Sequence, residues 1–447
     1  MRVRSGLVTR YQRTALAGML LIMAFLVYGR PALAVEVQRV ESATGIVALL
    51  VEDHINPIIN AQFVFRGGSA LDPDGMEGLA DMVSGLLDEG AGDLDSQAFQ
   101  RRLEELVVSL SFSAGRDSFG GRLSTLTKNR DDAFSLLKLA VTAPRFDDEP
   151  VSRIRSQILA GLRQESEDPD AIAGKALFKA LFDGHPYGRP SGGTTESIEA
   201  INVDAMRSFV TDRLARNNLV IGVVGDISPA ELSTLLDNTF GNLPAQATSW
   251  ELPDVAPPEK GQQIVIQKTV PQSAILFAQR GLKRNDPDFY AAYVMNYVLG
   301  GGGFTSRLYN EVREKRGLAY SVYSYLSPYD NTSLMLGGAG TANARVGETI
   351  QVIRGEWQLL ADLGVTEAEL ADAKTYMTGS YPLRFTASGQ IAGMLTGIQI
   401  DDLGMDYFDK RNDYIEAVTL DDVNRVARQW LDAGSLTIVI VGEPESL

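Results

Sequence analysis

VDAMRSFVTDRLARNNLVIGVVGD, residues 203–226, can be laid over LDDVNRVARQWLDAGSLTIVIVGE, residues 420–443, without a gap. Asp204 falls on Asp421, Leu214 on Leu431, Leu219 on Leu436, Ile221 on Ile438, and Val224-Gly225 on Val441-Gly442. Each copy reads as an amphipathic helix, a short turn, and a strand of β-branched residues that ends in Gly-acid. Looser repeats lie around this pair. INAQFVFRGGS (59–69) and SAILFAQRGLK (273–283) are both apolar strands running into Arg-Gly, each followed by helix, then strands at 110–126 and 318–337, then more helix. The break falls in LPAQATSWELPDVAPPEKGQ (243–262), rich in proline and polar residues, which would let the halves move. The pattern predicts two homologous α+β domains, residues 35–250 and 256–447, each a mostly antiparallel sheet covered by helices, with a cleft between them.

The 447 residues are 45% hydrophobic and 22% charged, an ordinary globular composition. With no cysteine there is no disulfide, no thiolate metal site and no cysteine nucleophile. A zinc site needing two imidazoles would have to use both of the only histidines, His54 and His185. At the N-terminus, four arginines within residues 1–14 precede the apolar run ALAGMLLIMAFLVY and the small-x-small triplet Ala32-Leu33-Ala34. This predicts a signal peptide of residues 1–34 and a periplasmic location; the alternative is an uncleaved membrane anchor. Loss of that segment takes five arginines and no acid, moving the net charge from −16 to −21. Such a field disfavours nucleic acid and anionic membrane surfaces as partners.

GLADMVSGLLDEG (78–90) reads as a helix whose buried face is Leu79, Met82, Val83 and Leu86. Asp81, Ser84 and Gly85 share a different face at i, i+3, i+4, the spacing with which a helix holds two metal ligands and a general base. Here that face carries one carboxylate, one hydroxyl and one residue with no side chain. A serine hydroxyl is no base near neutral pH.

RGGSALDPDGMEGLADMVSGLLDEGAG, DGHPYGRPSGG and LGGGGFTSRLYNEVREKRGLAYSVYSY together resemble the M16 zinc peptidases (pitrilysin, insulysin, mitochondrial processing peptidase), over nearly the whole chain after residue 34. The short bacterial two-subunit members are the most similar in layout. The resemblance implies a LuxS/MPP-like metallohydrolase fold and an inverted motif H-x-x-E-H, in which two histidines bind zinc and the glutamate activates the bound water. In this sequence the matching positions are Asp81, Ser84 and Gly85, and the third ligand position, in RSQILAG, is Gly161. Family members also use an Arg and a Tyr seven residues apart, reaching the substrate from the C-terminal half. The matching pair is Arg313 and Tyr320. TSRLYNEVREKRG is expected to be a helix capped by Thr305 or Ser306 and stopped at Gly317, with Tyr320 on the next strand. A guanidinium and a phenol so placed can converge on one carbonyl or oxyanion.

Plainer readings stand beside these. From spacing alone, Arg313 pairs with Glu311 or Glu314 on a solvated helix, and Tyr320 is a half-buried strand tyrosine. Gly300, Gly301, Gly302 and Gly303 open a helix but lack the Lys-Ser/Thr of a phosphate loop; the resemblance implies a loop lining the substrate cleft. His54 and His185 read as structural. The expectation is a zinc-less subunit of an exported heteromeric M16 peptidase. A partner carries H-x-x-E-H and the zinc, and peptides are the substrates. This chain supplies Arg313 and Tyr320 and holds no cofactor of its own. The rival is a non-enzymatic scaffold of the same fold, and an independently active peptidase would need ligands absent from the sequence.

Overall fold

The alternation read from the duplicated segments becomes two sheets of matching strand order. The computed structural model describes residues 36–445 and Leu447; the export segment expected at 1–34 lies outside them. The first sheet runs β1-β2-β6-β3-β5-β4, with β1 at Gln38–Glu41, β2 at Val47–Glu52, β3 at Ile58–Arg66, β4 at Ser109–Ala114, β5 at Ser118–Leu126 and β6 at Leu219–Gly225. The second runs β7-β11-β8-β10-β9, with β7 at Gln263–Gln267, β8 at Gln272–Arg280, β9 at Ala319–Pro328, β10 at Ser333–Ala342 and β11 at Thr437–Gly442. Apart from β1 the two orders coincide. Each sheet has one parallel pair, β2 with β6 and β7 with β11, and is otherwise antiparallel.

The repeat is faithful at the ends of the strands. Gly225 and Gly442 sit at φ +146° and +158°. A Cβ on Gly225 would lie 2.1 Å from the Ile58 carbonyl oxygen, so the strand can end there only without a side chain. The acid that follows is tied back to the chain leaving the parallel neighbour: Asp226 to His54 Nδ1 at 2.7 Å, and Glu443 to the Thr269 hydroxyl at 2.8 Å. His54 is thus structural, as expected. Asp226 and then Glu52 raise its pKa.

One face of each sheet carries its own core. Phe63, Phe65, Phe119 and Phe240 are buried in the first half, and Phe277 and Trp357 in the second, where the Trp357 indole N–H donates to Gln279 Oε1 at 2.8 Å. The opposite faces are covered by exchange. Helix Pro169–Leu181, from the first half, packs on β8 and β11 of the second sheet; helix Ser388–Ile400, from the second half, packs on β6 and β3 of the first. Ala173, Leu177 and Leu181 meet Ala278, Leu334 and Val439 in a third apolar cluster. Burial of Leu177 and Leu181 alone contributes on the order of 4 kcal/mol to that junction. Helix Ser388–Ile400 lies so close that a Cβ on Gly222 would meet the Ala392 carbonyl oxygen at 2.4 Å.

Residues 243–262 contain neither helix nor strand, but they are not slack. The Leu252 carbonyl accepts from Asn331 Nδ2 (2.6 Å), Val255 N–H donates to the Asn331 carbonyl (2.9 Å), and His185 Nε2 bonds the Pro253 carbonyl (3.0 Å). The segment read as a free linker is therefore pinned to both halves. His185 accepts the Tyr187 N–H on Nδ1, so the proton is on Nε2 and the ring is a bridge between loops. Among the described residues no helix is long and apolar enough to cross a membrane.

Candidate functional site

In both halves the connection between the long central strand and the edge strand holds the residues singled out by the sequence. In the first half this is the segment between β3 and β4. Its helix is Leu79–Ser84, shorter than the 78–90 reading, because the chain tightens into turns after Gly85. Leu79, Met82, Val83 and Leu86 are buried as the periodicity predicts. The helix is anchored by Asp72, whose carboxylate accepts from Gly78 N–H (3.0 Å) and Ala80 N–H (3.2 Å). Burial pushes the Asp72 carboxyl up to about 7, against the pull of those amides and of Arg213.

The three positions at metal-ligand spacing do not make a metal site. Ser84 is buried and its hydroxyl donates to the Asp81 carbonyl at 2.8 Å, so it is spent within its own turn. Gly85 offers no atom, and a Cβ there would meet Ile154 Cγ2 at 3.2 Å. Gly161, on helix Asp148–Glu165, faces open space: a Cβ would meet nothing within 4 Å. Asp81 is the one remaining ligand-type side chain, and its pKa is raised by burial and then by the charge of Glu165. No group of three or more His, Cys, Asp or Glu among the described residues could hold a metal ion. Zinc does not fit this donor set.

Beside Asp81 is a cavity of about 1010 Å3 that reaches across to Ile266 of β7. It is lined by Glu165, which pairs with Lys175 at 2.7 Å, and by Arg116, whose guanidinium lies 4.1 Å from the Phe178 ring centre. Arg116 also donates to the carbonyls of Tyr187 (2.9 Å) and Arg189 (3.1 Å). The Tyr187 hydroxyl in turn donates to Asp117 at 2.6 Å and accepts the Asn331 N–H at 3.1 Å. DGHPYGRP is thus the knot that ties the first half to the β9–β10 turn. Glu165 was missed by sequence reasoning; its position one helical turn after Gly161, on the same face, is the signal that could have found it.

In the second half the segment between β8 and β9 is built differently. Gly300 and Gly301 close a wide helical turn over Tyr297–Gly301 rather than opening a helix, and Gly303–Thr305 forms a short 3-10 turn. The loop presents Phe304, 75% exposed, against Tyr309. The segment expected as an α-helix widens to a π-helix over Tyr309–Glu314 and stops at Gly317, φ +58°. Of the two candidate caps, Ser306 accepts the Tyr309 N–H at 3.4 Å, while the Thr305 hydroxyl turns back to the Gly302 carbonyl.

Arg313 and Tyr320 do come together. Arg313 Nη1 donates to the Tyr320 carbonyl at 3.0 Å, and its guanidinium lies 4.4 Å from the Tyr320 ring centre and 4.9 Å from that of Tyr309. The alternative pairing is weak. Glu314 is 3.9 Å away, and Glu311 is taken by Lys315 and Arg316. Between Ala319↔Thr341 and Val322↔Ala339 the register shifts, so Tyr320 and Ser321 together oppose Gly340. This bulge turns Tyr320 out of the strand's alternation, leaving it 79% exposed rather than half-buried. Neither Arg313 nor Tyr320 lines the cavity beside Asp81.

The fold and these two corners define a metallopeptidase-type scaffold without its metal ligands. Residues 47–195 match the insulinase (peptidase family M16) domain and residues 200–377 the peptidase M16 inactive domain, so the chain belongs to family M16. It is 28% identical over 392 residues to the Helicobacter pylori protein named "non-peptidase homolog YmxG", covering 87% of this chain and 90% of that one. It is also 28% identical over 286 residues to the Bacillus subtilis "uncharacterized zinc protease YmxG", covering 64% of this chain and 68% of the relative. The crystal structure of a peptidase M16 inactive domain from Pseudomonas fluorescens superposes with a TM-score of 0.86 at 29% identity, over 92% of this chain and 98% of that one. The chain is an M16 member of the inactive type.

Proposed function

We propose that this chain is the zinc-less subunit of a two-chain M16 peptidase, exported to the periplasm, with domains 35–250 and 256–447. Its partner is an M16 chain that carries H-x-x-E-H and the zinc. Arg313 and Tyr320 bind the peptide substrate in the partner's site. The guanidinium and the phenol are donors for the carbonyl oxygen under attack, and both bonds strengthen as that oxygen gains charge. The water, its activation and the metal belong to the partner. Gly300 to Gly303 carry Phe304 at the mouth of the same cleft.

The observation that carries this reading is the contrast between a spent corner and a prepared one. Ser84, Gly85 and Gly161 offer nothing to a metal, while the Arg313–Tyr320 pair is assembled, with the Tyr320 ring open to solvent. The test is capture of the tagged chain from periplasmic extract, with mass spectrometry of what accompanies it. An H-x-x-E-H chain in about equal amount is the expected result. Recovery of the chain alone, or as a homodimer, counts against the divided site and favours a scaffold.

A further inference from the structure

Helix Ser388–Ile400 covers β6 and β3 but leaves β5 and β4 open beyond its flank. Between them is a recess of about 320 Å3. Its floor is two cross-strand rows: Gln62 opposite Arg122 opposite Ser111, and Asn60 opposite Ser124 opposite Ser109. All six residues are polar, and none of their side chains makes a hydrogen bond or ion pair with another among the described residues. No Asp or Glu lines the recess, although the chain carries a net charge of −16. The helix side of the wall is Gly389 and Ala392, which leave the space open.

The fold does not demand polar groups here. In the second sheet the positions corresponding to Asn60 and Gln62 are Ala274 and Leu276. Leu276, covered by helix Pro169–Leu181, continues across the strands to Gly338 and then to Tyr323, which is partly exposed. One copy of the duplicated face carries a leucine, a glycine and a tyrosine along this row; the other carries polar side chains around one guanidinium. Asn60, Gln62 and Ser124 are half-buried and Ser109, Ser111 and Arg122 exposed, so an anion could displace water and meet one guanidinium and several neutral donors with no carboxylate opposing it.

We propose that this recess binds an oxyanion. The Arg122 fork supplies the charge, with the hydroxyls of Ser111 and Ser124 and the amides of Gln62 and Asn60 around it. A carboxylate at a peptide terminus and free phosphate share this chemistry, and the experiment separates them. The whole chain, without any peptidase partner, is titrated calorimetrically at fixed ionic strength with inorganic phosphate. It is titrated separately with an N-acetylated tetrapeptide bearing a free C-terminal carboxylate, and with the same peptide as its amide. The expected result is saturable binding of phosphate or of the peptide acid, none of the amide, and at least a tenfold weakening in Arg122→Gln. Ser111→Ala weakens binding two- to fivefold with an unchanged circular dichroism spectrum. Phosphate binding alone identifies a small anion; binding of the acid identifies a peptide terminus. Saturation by neither, equal binding of acid and amide, or wild-type affinity in Arg122→Gln overturns the proposal. Because no proteolysis is measured, such a failure leaves the divided-site reading untouched.

Discussion

The segment from β3 to β4 and the segment from β8 to β9 make the same connection in two copies of one domain, and they have kept opposite things. The first carries packing and offers no metal site. Leu79, Met82, Val83 and Leu86 fill the core, while Ser84 bonds to its own turn and Gly85 and Gly161 have no side chain to offer. The second has given up regular helix, widening through two π turns and a glycine-rich loop, and keeps an arginine stacked on an exposed tyrosine. A duplicated fold can abandon a site wherever core packing does not depend on it. Irregular backbone next to a retained Arg–Tyr pair marks a place where something other than packing sets the conformation.

The largest expected effect lies on the second side of this contrast. Arg313→Ala in the assembled pair should lower kcat/KM for a peptide about 100-fold, the range seen when one oxyanion donor is removed. The amount of partner bound should not change. Tyr320→Phe, which deletes only the hydroxyl, should cost about tenfold under the same assay. Peptide hydrolysis followed alongside sedimentation of the complex reads both quantities. Near-normal turnover in both variants would break the comparison, since the second corner would then be as spent as the first.

A smaller effect sharpens the first side. Asp72 is buried and its carboxyl is raised from 3.8 to about 7 in the fold, so the native state holds a proton that the unfolded chain has released. That contribution is fully present below pH 3.8 and is lost as pH rises through about 7. Between pH 4 and 8 the wild type should therefore lose unfolding free energy relative to Asp72→Asn, which cannot titrate. Urea midpoints across that range test this; parallel pH profiles would show that burial of Asp72 is offset by its amides and Arg213.

The smallest effect concerns Gly161. A methyl group there meets nothing, so Gly161→Ala should stabilise the chain by up to about 1 kcal/mol through helix propensity alone, read as a rise in the thermal midpoint. Destabilisation would mean that a constraint other than the space around Gly161 keeps a glycine there.

Much of this was legible in the sequence because it is local or repeated. The Gly-acid ends of β6 and β11, the two mostly antiparallel sheets and the apolar face of the Leu79–Ser84 helix follow from period and duplication. What was not legible depends on contacts distant in the chain. Nothing in Pro169–Leu181 or Ser388–Ile400 announces that each covers the other half's sheet. The proline-rich stretch at 243–262 looks like a linker until Asn331 and His185 are seen holding it. The helix over Tyr309–Glu314 has ordinary helical spacing, and only its packing reveals the wider turn. Tyr320 reads as a half-buried strand residue because a one-residue bulge leaves no trace in the alternation.

The most direct test of the account is reconstitution. This chain, an H-x-x-E-H M16 chain captured with it, and their equimolar mixture are each assayed for hydrolysis of a quenched fluorescent peptide, with zinc content measured on every sample. The account predicts zinc only in the partner, and turnover in the mixture about 100-fold above either chain alone. Turnover by this chain alone with bound zinc, or by the partner alone at the rate of the mixture, would contradict it.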